Sequence, residues 1–136
     1  MVVEAVDGPS ALAISLSCRP DVIVANSHLP GISGYELCDV LRRDLATRAT
    51  PIVLITSDGM ARVLERARAS GATSVMIKPC PPDTLLTEAI RLFEASRAAR
   101  ERWAATHDQP PVPLTSPERR VQESEQRQRT RKVRKV

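Results

Sequence analysis

The sequence has few aromatic residues, few histidines and no long apolar run. Of its 136 residues, three are aromatic and two are histidines, His28 and His107, which lie far apart. The longest uninterrupted apolar runs contain about four residues, whereas a membrane-spanning helix needs about 20. Glu4 and Asp7 stand where a secretory signal would be basic and then apolar. We therefore expect no histidine-based metal site, no membrane association and no secretion.

Cysteine is also scarce and is not paired in the sequence. Cys18, Cys38 and Cys80 are odd in number, widely spaced and free of any CxxC motif. This spacing favours neither a disulfide framework nor a zinc site. Cys38 falls on an apolar helical face and is interpreted as a small core residue. The pattern fits a reducing compartment, and we expect a cytoplasmic protein.

Charge divides the chain into two parts. Residues 1–96 carry 9 basic against 11 acidic side chains, a net charge of −2, while residues 97–136 carry 11 against 5, a net charge of +6. The length allows one domain, which we predict over residues 1–96. We predict that residues 97–136 form a helical extension, then a Pro-rich linker near residues 109–113, and finally a basic disordered tail.

Three unbroken apolar runs, at residues 22–25, 52–55 and 75–77, alternate with helical patterns. Unbroken runs of this length are typical of parallel strands that are buried on both faces. Residues 2–5 offer a weaker, earlier strand. Strand–helix alternation with short connections predicts an α/β fold with a parallel sheet flanked by helices.

Four helices are predicted between and after these runs. The first runs from Ser10 to about Cys18, and the second begins at Ser33, which forms a capping-box pattern with Glu36. Asp58 is the predicted cap of the third helix, and Asp83 that of the last. The last helix carries an apolar stripe expected to face the core, made of Leu86, Ala89, Ile90 and Phe93.

Polar side chains follow each predicted strand. Asn26, Ser27 and His28 follow the first run, Thr56 and Ser57 the second, and Lys78 and Pro79 the third. Ligands of open parallel sheets bind at the carboxyl ends of the strands. An amide, hydroxyls and one ammonium group at that edge suit an anion such as phosphate. The alternative is that these residues are polar because loops generally are.

The spacing of these residues resembles that of response regulator receiver (CheY-like) domains. In that family a strand ends in the phosphoacceptor aspartate, with Pro four and Gly eight residues later, and Pro30 and Gly34 hold those offsets from Asn26. Thr56 and Ser57 match the switch position and the small residue after it. Lys78–Pro79 resembles the Lys–Pro pair, whose peptide bond is usually cis. The resemblance covers residues 2–95 and implies a flavodoxin-like sheet.

Two departures from the family pattern bear on function. The phosphoacceptor position holds Asn26, and a neutral amide is a poor nucleophile. The family's first strand, which ends in paired acidic Mg²⁺ ligands, and its first helix have no counterpart before Val2. We therefore expect a partial receiver, with no catalytic residue and no metal ligand, and with Mg²⁺ only if acidic residues exist upstream. Either the start of the chain is misassigned or truncated, or the missing unit is supplied in trans, or the remaining strands close the gap.

Together these features predict a signalling module of a two-component phosphorelay that is not phosphorylated and is not an enzyme. The resemblance implies that its partners are a histidine kinase, a phosphotransfer protein or another receiver. Asn26 is then the phosphoacceptor equivalent, with Thr56, Ser57, Lys78 and Pro79 as the equivalents of the phosphate pocket and switch. The alternative is a regulator that associates weakly with DNA through its basic tail.

Overall fold

The computed structural model describes residues 1–106, which form a three-stranded parallel sheet flanked by helices. The strands lie in the order β1-β2-β3, with Val24 opposite Val53 and Thr56 opposite Ile77. This arrangement confirms the predicted α/β class. The elements, in chain order, are α1 (Gly8–Cys18), β1 (Ile23–Asn26), α2 (Gly34–Arg43), β2 (Ile52–Thr56), α3 (Ala61–Ala69), β3 (Ser74–Ile77) and α4 (Pro82–Thr106).

The strand predicted at residues 2–5 is not formed, so that prediction is wrong. Residues 1–5 have no regular structure, and the side chains of Val2 and Val3 are 90% and 50% exposed. Within residues 1–106, β1 is an edge of the sheet and no strand pairs with its outer side. Residues 2–5 do not pair with the open edge of β1, so their backbone lacks the hydrogen bonds that define a strand.

The main core lies on one face of the sheet, between the strands and helices α1, α2 and α3. Leu37, Cys38 and Leu41 of α2 are fully buried against Ile52 and Leu54 of β2. All three cysteines are free thiols. Burial raises the pKa of the Cys38 thiol to about 11, because a buried thiolate loses its hydration. The prediction that Cys38 is a core residue is confirmed.

Helix α2 begins with the predicted capping box. The backbone N–H of Glu36 donates to Ser33 Oγ at 3.2 Å, and the Ser33 N–H donates to Glu36 Oε2 at 2.8 Å. These hydrogen bonds from Ser33 lower the pKa of Glu36. The start of α1 is capped in a similar way, since the Ser10 N–H donates to Asp7 Oδ1 at 2.7 Å. Local sequence therefore fixes both helix starts.

The third helix begins later than predicted. Its N-cap is Met60, which makes no side-chain cap, whereas Asp58 lies in the preceding turn and accepts the Met60 N–H at 2.9 Å. The prediction that Asp58 caps this helix is therefore wrong. The carboxylate closes a turn of its own instead, a local alternative that Asp side chains commonly adopt.

Arg42 connects three separate segments below the sheet. Its Nε donates to the carbonyl of Gly71 at 2.9 Å, and its Nη1 donates to those of Arg48 (3.0 Å) and Thr50 (2.7 Å). Its Nη2 donates to Thr73 Oγ1 at 3.2 Å. One guanidinium thus ties the end of α2 to the loop before β2 and to the turn before β3.

Helix α4 runs without interruption to Thr106, so the predicted helical extension past residue 97 is present. The predicted core-facing stripe is wrong, however. Leu92 is the buried residue at 5% exposure, while Leu86, Ile90 and Phe93 are 59%, 47% and 38% exposed. In the part of the chain that the structure describes, no helix is long and apolar enough to cross a membrane. The predicted Pro-rich linker and basic tail lie outside the described residues.

Candidate functional site

The three strand ends meet at one edge of the sheet. Asn26 is the last residue of β1, Thr56 is the last of β2, and Lys78 directly follows β3. The Ser27 N–H donates to the Ile55 carbonyl at 2.7 Å, and the Lys78 N–H donates to the Thr56 carbonyl at 2.8 Å. These hydrogen bonds between parallel strands align the strand ends. The predicted site residues therefore lie along one edge of the sheet, which we call the rim.

Asn26 presents its side chain at this rim. It is exposed, and among residues 1–106 its amide has no hydrogen-bond partner. Its backbone is closely packed against Gly34, where an added Cβ would collide with the Asn26 carbonyl oxygen. The Gly34 N–H in turn donates to the Ser27 carbonyl at 3.0 Å. In this chain the close approach of the Asn26 carbonyl therefore requires a glycine at position 34, eight residues after Asn26.

Ser27 and His28 form a pair next to Asn26. The Ser27 hydroxyl is 2% exposed and lies 3.0 Å from Nδ1 of His28, whose ring is exposed. Because its hydroxyl is buried and hydrogen-bonded to the His28 ring, Ser27 does not offer a free nucleophile at the rim.

Thr56 is buried at 2% exposure, and its hydroxyl belongs to the turn that follows β2. Its Oγ1 accepts the Asp58 N–H at 3.2 Å and lies 3.5 Å from the Asp58 carbonyl. Ser57, the other hydroxyl predicted for the site, is exposed. The structure thus places Thr56 within the turn and Ser57 at the solvent.

Lys78 and Pro79 are exposed and joined by a cis peptide bond, the geometry that the resemblance implied. Together with Cys80 they line an open pocket whose other walls are Ile55 and Leu85. Ile55 is the register partner of Asn26, so the pocket adjoins the Asn26 side of the rim. Sequence reasoning missed the apolar walls, because a strand residue and a helix residue carry no motif.

The donor set at the rim does not fit a hard divalent cation. Mg²⁺ is bound through carboxylates and waters, whereas the rim offers one amide, hydroxyls and an ammonium group. Within residues 1–106 there is no group of three or more His, Cys, Asp or Glu side chains that could hold a metal. We therefore assign no metal-dependent step to these residues.

A second open groove lies between β3 and the first turns of α4. Ser74 and Met76 form its strand side. Its helix side consists of Asp83, Thr84, Thr87 and Glu88. The Arg91 guanidinium, at 2.7 and 2.8 Å, and then Ser74 lower the pKa of Glu88 to about 2. The groove therefore combines hydroxyl and carboxylate groups with the apolar Met76 side chain, and Arg91 pairs with one of its carboxylates.

Comparison with known proteins shows a consistent relationship. A family model described as the response regulator receiver domain matches residues 1–90. The response regulator PleD of Caulobacter vibrioides is 37% identical over 91 residues, which cover 66% of this chain and 20% of PleD. The sensor histidine kinase AruS of Pseudomonas aeruginosa is 40% identical over 86 residues, which cover 62% of this chain and 9% of AruS. The chain therefore spans a fifth or less of these two relatives.

The structural comparison agrees with the sequence comparison. The chemotaxis response regulator CheY4 of Vibrio cholerae superimposes with a TM-score of 0.61 at 33% identity, covering 65% of this chain and 73% of CheY4. The likeness includes the parallel sheet and the flanking helices, so the flavodoxin-like prediction for the fold is confirmed.

Proposed function

The chain belongs to the response regulator receiver domain family, and from that premise we propose that it is a two-component signalling module that acts by protein–protein interaction without being phosphorylated. Asn26 carries this proposal. A receiver accepts a phosphoryl group because a carboxylate oxygen attacks phosphorus and forms a mixed anhydride. The amide of Asn26 has no comparable nucleophile, although it is nearly isosteric with Asp.

The remaining rim residues support a pocket that keeps the shape of a phosphorylation site but lacks the nucleophile for phosphoryl transfer. We assign Asn26 as the phosphoacceptor equivalent, and Thr56, Ser57, Lys78 and Pro79 as the equivalents of the switch and the phosphate pocket. The exposed Lys78 ammonium supplies positive charge, but without a carboxylate or a metal ligand nothing there activates a phosphodonor. We assign no catalytic residue and propose a cytoplasmic location.

A direct test uses a chemical phosphodonor. The full chain and CheY4 of Vibrio cholerae are incubated side by side with acetyl phosphate and Mg²⁺, and both are analysed by intact mass. We expect CheY4 to gain a phosphoryl group and this chain to remain unmodified. A stoichiometric adduct on this chain, whether base-labile or acid-stable, would contradict the proposal.

The proposed partners are a histidine kinase, a phosphotransfer protein or another receiver. The proposed contact face consists of α3, β3 and α4, and its centre is the groove between Ser74 and Glu88. Its exposed threonines and acidic side chains suit a polar, partly basic partner surface, and binding there does not depend on the chemistry at Asn26.

A competition assay tests whether this chain binds such a partner. Unmodified chain is added to a phosphotransfer reaction between a histidine kinase and its own receiver, and we expect the transfer to slow. Thr84→Arg, in the groove, should remove the inhibition, whereas Thr106→Arg, at the exposed end of α4, should not. Equal inhibition by both variants would exclude the groove as the contact face.

The charge of the C-terminal part supports a second candidate function, weak association with DNA. Residues 126–136 contain six Arg or Lys, and clustered cations bind the phosphate backbone regardless of base sequence. Gel shifts across a salt series, with and without residues 119–135, test this candidate. Loss of the shift on deletion supports it, and an unchanged shift rules it out.

A further inference from the structure

A cleft lies at the end of the sheet opposite the rim, where the second half of α4 passes the starts of two strands. One wall consists of Ala49, Pro51 and Thr73, which belong to the segments that lead into β2 and β3. The other wall is α4. The cleft has a volume of about 340 Å³, near the lower end of the roughly 300–1,000 Å³ typical of small-molecule sites. It is separate from the rim, which lies at the other ends of the same strands.

The α4 wall is formed by side chains from one face of the helix. Leu92, Ala95, Ala99 and Trp103 follow one another at intervals of three or four residues, so they lie in a row along α4. Leu92 is buried, whereas Ala95 and Ala99 are exposed and form a shallow floor. Trp103 ends the row and is 36% exposed. A large aromatic ring thus borders a floor of methyl groups, which suits a flat ligand that lies against the ring.

The edge of the cleft carries positive charge. Arg100 lines it, and its Nη1 donates to Asp21 Oδ1 at 2.9 Å. Both of these side chains are more than half exposed, and exposed ion pairs are weak. The guanidinium has five N–H groups, so a second anion can share it with Asp21 or displace that carboxylate. Arg48 is exposed and directly precedes Ala49 of the opposite wall, so a second cation flanks the cleft.

We propose that this cleft binds a nucleotide, with the base against the ring of Trp103 and the phosphate on Arg100. Aromatic side chains stack on bases of any sequence, and guanidinium groups pair with phosphate oxygens. A base inside a duplex has no free face, so the ligand is a free nucleotide or the unpaired end of a strand. The inference is independent of the proposed function, because neither Asn26 nor residues 119–135 take part in it.

The fluorescence of Trp103 reports occupancy of the cleft, because Trp103 is the only tryptophan of the chain. The full chain is titrated with adenosine 5′-monophosphate (AMP), with adenosine and with inorganic phosphate. We expect saturable quenching by AMP and none by phosphate alone. Adenosine should bind about fivefold more weakly than AMP, because it lacks the group that pairs with Arg100.

A second titration identifies the source of the nucleotide. It uses a short single strand of deoxyadenosines with a 5′-phosphate. Tighter binding of the strand than of AMP supports a strand end as the ligand, and weaker binding supports a free nucleotide.

Two substitutions with opposite expected effects test the role of the guanidinium. Arg100→Gln should abolish the preference for AMP over adenosine. Asp21→Asn removes the competing carboxylate and should strengthen AMP binding about twofold or more. Arg102→Gln is the matched control, since Arg102 is an exposed arginine of the same helix that does not line the cleft. All three variants are first shown to unfold cooperatively.

Three results would overturn the proposal. They are absence of saturable quenching by AMP, equal affinity of the wild-type chain for AMP and adenosine, and equal loss of the AMP preference in Arg100→Gln and Arg102→Gln. Binding of AMP that leaves Trp103 fluorescence unchanged and is lost on deletion of residues 119–135 would also overturn it, because that result assigns the nucleotide to the basic tail.

Discussion

The hydrogen bonds of Arg42 make it the most informative single position for stability. Its guanidinium donates to three backbone carbonyls and one hydroxyl, which belong to the loop before β2 and to the turn before β3. Because the guanidinium is partly buried, the pKa of Arg42 is lowered. Arg42→Ala removes all four bonds at once and leaves the carbonyls of Gly71 and Thr50 in part-buried positions without their partner.

The expected loss of stability follows from the two part-buried hydrogen bonds, to the carbonyls of Gly71 and Thr50. A hydrogen bond from a charged donor contributes about 1.5–3 kcal/mol, and exposed bonds contribute less. Because water can enter the vacated space, we expect Arg42→Ala to lower the free energy of unfolding by about 3 kcal/mol. This is a large fraction of the roughly 5–15 kcal/mol of a typical domain.

Urea denaturation monitored by circular dichroism measures this loss. With a slope of about 1.5 kcal/mol per molar urea, the midpoint should fall by about 2 M. Arg43→Ala is the matched control, since the Arg43 side chain is 77% exposed and forms a surface ion pair with Asp39, and such pairs contribute about 0–1 kcal/mol. If the two variants shift the midpoint equally, Arg42 does not tie the three segments together as argued.

Two further predictions concern titratable groups. The folded-state pKa of Glu88, about 2, lies below its ordinary value of 4.5, so its contribution to stability is present above about pH 4.5 and is lost as the pH falls toward 2. Glu88→Gln should therefore lower the urea midpoint at pH 7 and leave it unchanged near pH 2; a constant difference would contradict this assignment. The exposed Cys18 should react rapidly with Ellman's reagent at pH 8, whereas the buried Cys38, with a pKa of about 11, should react only as the chain unfolds. One common rate for both thiols would show that Cys38 is accessible.

Local and central features of the fold could be predicted from the sequence. The run at residues 52–55 predicts a strand correctly because β2 has a neighbour on each side and is buried almost throughout. The Ser33–Glu36 box predicts the start of α2 because all of its atoms lie within four residues. The capping box in particular depends little on the rest of the chain.

Two of the wrong predictions share a different cause. The strand at residues 2–5 and the inward face of α4 both depend on what lies beyond the outer edge of β1. An apolar pattern shows which side chains avoid water, but it does not show whether a covering element is present. For the same reason motifs identified the rim residues Asn26, Thr56 and Lys78, while the apolar pocket walls Ile55 and Leu85 emerged only from the packing.

The uninterrupted length of α4 has a mechanical consequence. Its 25 residues span about 37 Å, more than twice the roughly 17 Å of a five-residue strand. The helix starts at the rim, four residues after Lys78, and ends well past the opposite end of the sheet. A tilt of about 10° at its first turn would displace Thr106 by about 6 Å. The buried Leu92 side chain opposes such a tilt, and the exposed Arg100–Asp21 ion pair adds a weaker restraint.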